Sequence, residues 1–63
     1  MAEPAVKLRS GLVENLEAAP PRMEAHWEGE VIGWHNYARG REYAVDFCRS
    51  LVIGRTLQEM FST

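Results

Sequence analysis

Two carboxylates, two histidines, one cysteine and two arginines astride a glycine are the groups here whose spacing could serve chemistry. Glu28 and Glu30 stand two apart in a strand-like segment, so they share a face, as a pair doing acid and base work must. No nucleophile or second acid is placed beside them, and a solvated outer face is the plainer reading. His35 opens a turn; it could gate an assembly of identical subunits, since an interface disfavours a charged histidine, or simply be solvated. His26 stands beside Trp27 with the same two readings. Cys48 has no histidine base in reach and reads as a small buried apolar residue. His26, His35 and Cys48 lack zinc-type spacing, which argues against a structural metal. Arg39 and Arg41 flank Gly40 and could hold a phosphate, although two arginines in a polar loop are ordinary. Trp27 and Trp34 could stack on a ring-shaped ligand, but aromatics beside glycines are more often core or contact residues. Trp27, Trp34 and His35 are therefore the expected subunit interface.

These residues fall on segments of different texture. Residues 1–22 form an arm rich in Ala and Glu, framed by Pro4, Pro20 and Pro21. Within it Val6 and Leu8 alternate like a strand. Ser10 followed by Leu12, Val13 and Leu16 reads as a helix cap and one apolar stripe, ending by Ala19 because a residue before proline leaves the helical region. Residues 23–63 read as the folded domain. The run from His26 to Trp34 is rich in aromatic and β-branched residues, with Gly29 and Gly33 at positions that would bend or bulge a strand. Residues 35–41 read as a hairpin turn, followed by a strand that points Tyr43, Val45 and Phe47 to one face. Leu51-Val52-Ile53 reads as a buried strand, and Thr56 with Glu59 as a capping box for one or two terminal helical turns.

A second period runs through the same residues. Ala44, Phe47, Cys48, Leu51 and Val52 also fit one helix from Glu42 onward. The β-branched Val45, Val52 and Ile53, the aromatic Tyr43 and Phe47, and the cost of about 1 kcal/mol for Gly54 inside a helix favour strands. The expected fold is thus all-β, a small, strongly bent antiparallel barrel from Trp27 to Phe61.

At 63 residues the chain is one domain. Such a domain buries only about 60% of its unfolded surface, and without disulfides or metal it gains stability by association. The expected partner is therefore the chain itself. The net charge of −2 argues against a nucleic-acid regulator built on the Arg39 and Arg41 loop. No apolar run approaches the roughly 20 residues that span a bilayer, no export signal is evident, and a lone cysteine suits a reducing cytoplasm.

The string Trp27-Glu28-Gly29-Glu30-Val31-Ile32-Gly33-Trp34, then Tyr43-Ala44-Val45, then Ser50-Leu51-Val52-Ile53 ahead of a short helix, resembles the type II dihydrofolate reductases. The resemblance covers the C-terminal two-thirds of the chain. It implies a five-stranded Src-homology-3-like (SH3-like) barrel, four copies of which surround one central pore where dihydrofolate and NADPH meet; the expected homo-oligomer of this chain is a dimer or tetramer. The family's Val-Gln-Ile-Tyr pore strand falls on Leu51, Val52, Ile53 and Gly54, of which only the isoleucine is kept. Val52 offers no polar side-chain atom and Gly54 no side chain, and Arg22 is the nearby cation in place of the family's lysine. The expected pore or ligand-binding residues are thus Leu51, Val52, Ile53, Gly54 and Arg22, without an identifiable general acid. The leading expectation is a homo-oligomeric interaction or ligand-binding module; an NADPH-dependent reductase with an altered pore comes second.

Overall fold

The computed structural model describes residues 10–62, which form three strands and one helix in the order β1 (Ser10–Asn15), β2 (Arg22–Trp27), β3 (Glu30–Asn36) and α1 (Arg41–Phe61). The strands make one antiparallel sheet in the order β1-β2-β3, and α1 lies across one of its faces. The five-stranded barrel is overturned: the sheet is open and the chain's second half is helical.

Each departure has a local cause. The run from His26 to Trp34 is two strands joined at Glu28-Gly29, both with positive φ, 52° and 88°. That is the backbone of a two-residue hairpin turn whose twist matches its strands. The glycine expected to bend a strand instead reverses the chain. Ser10 does not cap a helix, because Gly11 at φ 143° is outside helical geometry and residues 10–15 pair along the whole of β2. The chain then returns through a turn in which Asn15 Oδ1 accepts from the Glu17 and Ala18 amides at 3.2 and 3.1 Å. The expected strand at Val6 and Leu8 lies outside the described residues.

From Arg41 onward the helical period wins over the strand period. Neither the strand at residues 42–47 nor the one at Leu51-Val52-Ile53 exists, and Thr56, expected to start a helix, lies inside α1 and donates to the Val52 carbonyl at 2.9 Å. The one glycine and the β-branched residues cost a helix about 1 kcal/mol and a few tenths each. Against this, α1 packs Ala44, Val45, Phe47, Cys48, Leu51 and Val52 on the sheet, where a well-buried side chain contributes about 1.5–3 kcal/mol. The segment expected as a hairpin turn is the connection into α1. It is pinned by Asn36 Oδ1 accepting from the Ala38 amide and by the Gly40 amide donating to the Tyr37 carbonyl, at 2.9 and 3.0 Å.

The core is thin. Among the described residues its buried apolar members are Met23, Ala25, Ala44 and Cys48, ringed by half-buried Leu12, Ile32, Tyr37, Val45, Phe47, Leu51 and Val52. Met23 and Ala25 alternate with Arg22, Glu24 and His26, so β2 gives one row to the helix and the other to the open face. On β3 the register slips: Ala25 pairs with Gly33 and His26 with Val31, leaving Ile32 as a bulge. The bulge turns both Ile32 and Gly33 toward α1. A Cβ on Gly33 would collide with the Leu51 side chain, so glycine there sets how closely helix and sheet approach.

Candidate functional site

The open face of the sheet centres on a carboxylate. Glu24 is 5% exposed although among the described residues no element lies over it. Its Oε2 accepts from Arg22 Nε at 2.8 Å and Asn15 Nδ2 at 3.3 Å, and its Oε1 from His26 Nε2 at 2.8 Å. Burial pushes this carboxyl up, but the hydrogen bonds from His26, Asn15 and Arg22 outweigh it and hold it below its ordinary value. The strand period explains the row, since residues 22, 24 and 26 share a face and β1 brings Asn15 beside Arg22. Trp34 is the cross-strand neighbour of Glu24; it is half exposed, with the Arg22 guanidinium 5.5 Å from its ring centre. Val31, also half exposed, faces the same way beside His26.

A second carboxylate closes the helix side. Glu14 Oε2 accepts from Tyr37 Oη at 2.6 Å and Arg41 Nη1 at 2.5 Å. The Tyr37 hydrogen bond, then Arg41, draws the Glu14 carboxyl down. Burial, then the Glu14 charge, pushes the Tyr37 hydroxyl up. The group ties β1 to the start of α1.

In both clusters the carboxylate is held by donors of the fold itself: Glu24 accepts on both oxygens, and Glu14 accepts twice on Oε2. The Cys48 thiol is buried, donates to the Met23 carbonyl at 3.3 Å, and is pushed up by burial, away from the thiolate a nucleophile requires. Among the described residues no three His, Cys, Asp or Glu side chains gather as a metal would require, and no helix is long and apolar enough to cross a membrane.

The residues singled out from sequence are scattered. Leu51 and Val52 face the sheet from α1, Ile53 is exposed on its outer side and Gly54 on the flank beside β3, so the four do not form a pore-lining strand, and Arg22 belongs to the Glu24 row. Trp34 looks out from the open face. Trp27 is half buried on the helix side, with its Nε1 buried and unpaired among the described residues. His35 packs under α1, with ring centres 4.8 Å from Tyr43 and 5.0 Å from Phe47. Glu28 lies in the hairpin turn and Glu30 on β3, so they share no strand face. Arg41 is held by Glu14 and Arg39 stacks 4.4 Å over Tyr43, so the two arginines do not converge on one anion. Glu24, Asn15, Glu14 and Tyr37 were not read from sequence. Arg-x-Glu-x-His at strand spacing was the available signal for the first.

The larger exposed feature is apolar. Ile53, Leu57, Met60 and Phe61 are 52, 46, 64 and 82% exposed and share the outer side of α1. Inward of them Leu51 and Val52 meet the sheet, and Arg55, Thr56, Gln58 and Glu59 fill the positions between, so the outer apolar stripe is a separate face from the one the sheet covers. Comparison of the chain with protein-family models, curated proteins and solved structures finds no match.

Proposed function

We propose that this chain is a self-associating interaction module that works by docking rather than by chemical conversion. One contrast carries the reading: Glu14 and Glu24 are tied into the fold by donors from neighbouring side chains, whereas large apolar side chains stand in solvent on α1 and on the sheet. Polar groups locked in place keep a surface rigid, and exposed Trp, Met and Phe are the types enriched where proteins meet. The size of the chain pulls the same way. With four buried apolar side chains among the described residues and the lone cysteine free, burying more apolar area between copies is the remaining route to stability.

Light scattering on the full chain from about 1 to 300 μM tests the reading. A mass that rises with concentration and levels at a small whole multiple of the monomer is expected. A monomer throughout that range would end it.

A further inference from the structure

Resting on the reading of self-association, the geometry points to one contact: an antiparallel pairing of the outer faces of two α1 helices, with Phe61 of each copy seated over Gly54 of the other. Phe61 and Gly54 are seven residues apart, so they lie on nearly one line of the helix, about 10.5 Å and two turns from each other. A two-fold axis crossing α1 beside Leu57, near their midpoint, exchanges them. It also puts Ile53 of one copy against the end of the partner's stripe.

The two positions have opposite shapes. Phe61 is the most exposed of the large apolar side chains described. Nothing stands within 4 Å of where a Cβ on Gly54 would be, and Gly54 opens into a groove of about 270 Å³ between α1 and β3, lined by Ile32, Ser50, Leu51, Gly54, Arg55 and Gln58. In an antiparallel pair each flank of a helix meets the same flank of its partner. Phe61 and Gly54 share a flank, so the ring arrives on the groove side.

Charge favours a second copy over other occupants. Between Ser50 and Ser62 the charged residues are Arg55 and Glu59, one of each sign and 3.7 Å apart, so nothing on the stripe repels its own image. A helix that settles on a membrane surface carries lysines and arginines on its polar face, and Arg55 alone does not supply that. The sheet edges are poor templates for adding a strand: β3 is bulged and β1 carries Gly11 at φ 143°. Side chains of this size carry on the order of 150–200 Å² each, so at their exposed fractions the four offer about 370–490 Å² per copy. A contact of about 730–980 Å² in total is at the small end for a specific interface. A weak, concentration-dependent dimer is expected.

Sedimentation equilibrium on the full chain and two variants tests the contact. Phe61→Ala removes the ring; Gly54→Leu fills its seat while improving helix propensity, so the fold is kept, as far-UV circular dichroism can verify. A dimer weakened at least tenfold by each variant is expected. A dimer of unchanged affinity in both would overturn this contact while leaving self-association standing. A wild-type monomer at 300 μM overturns both, and a monomer that instead co-sediments with anionic phospholipid vesicles, losing this on Phe61→Ala, assigns the stripe to lipid and overturns the pairing.

Discussion

Replacing Glu24 tests whether the open face is held by its buried carboxylate. In Glu24→Ala three donors lose their acceptor. Arg22, about a third exposed, can turn to water at little cost, whereas the His26 side chain is 15% exposed and stays next to the hole. A hydrogen bond to a charged group is worth about 1.5–3 kcal/mol; discounting Arg22 for its exposure leaves about 2–3 kcal/mol for the cluster. A 63-residue domain has only about 3–9 kcal/mol in all, so about a fifth or more of the stability is at stake. Glu24→Gln keeps the shape and one acceptor oxygen, and should lose about 1–2 kcal/mol. Urea unfolding followed by circular dichroism, at one fixed protein concentration because association adds stability, measures both. The acid limb gives an independent check. The folded carboxyl stays charged to lower pH than the unfolded one, so its contribution is whole above the unfolded value of about 4.3 and fades as pH falls through the lower folded value. Wild type should therefore lose stability below about pH 4.5 more steeply than Glu24→Gln, with Glu14, also drawn down, supplying the slope that remains. A loss under about 0.5 kcal/mol in Glu24→Ala, or parallel acid limbs, would refute the reasoning.

Two further outcomes follow from the packing of α1 on the sheet. Gly33→Ala drives a methyl into Leu51 and should cost about 1–3 kcal/mol, but adding Leu51→Ala should recover about 1 kcal/mol of the summed single losses, a coupling that a double-mutant cycle in urea would detect. Cys48, fully buried with its thiol pushed up, should react with a disulfide reagent at pH 8 at least a hundredfold more slowly in the native protein than in urea; comparable rates would show that α1 lifts from the sheet far more often than this packing allows.

Short-range chemistry was legible in this sequence, and the choice between periods was not. Gly29 and Gly33 read as bends in one strand, whereas Gly29 sits in the turn between two strands and Gly33 makes room for Leu51. From Tyr43 to Ile53 the residues fit both periods, composition favours strands, and the helix wins because of what it packs on. Ala44 and Cys48 are four apart, small, and fully buried against Met23 and Ala25, a match visible only once β2 and β3 are known to form a sheet. The same reason hid the candidate site. Arg22, Glu24 and His26 become a cluster when β2 is a central strand, because Asn15 and Trp34 come from the strands on either side.

The composition that favoured a strand at residues 51–54 bears on α1 itself. Val52, Ile53 and Gly54 make the middle of α1 a weak helix former, and the mostly good helix formers beyond them, Arg55 to Met60, are too short a run to be stable from propensity alone. The sheet orders one side as far as Arg55 and Gln58, at the end of the groove beside Ile32. Leu57, Met60 and Phe61 project on the outer side of α1, away from the described sheet. A glycine that loosens the helix is tolerable if the room it leaves is filled from outside, and the ring two turns further along the same line has the shape to fill it. On that reasoning the weak helix former and the exposed apolar end are one feature: Gly54 sacrifices local helix stability to make the seat, and the contact made there returns order to the turns that follow.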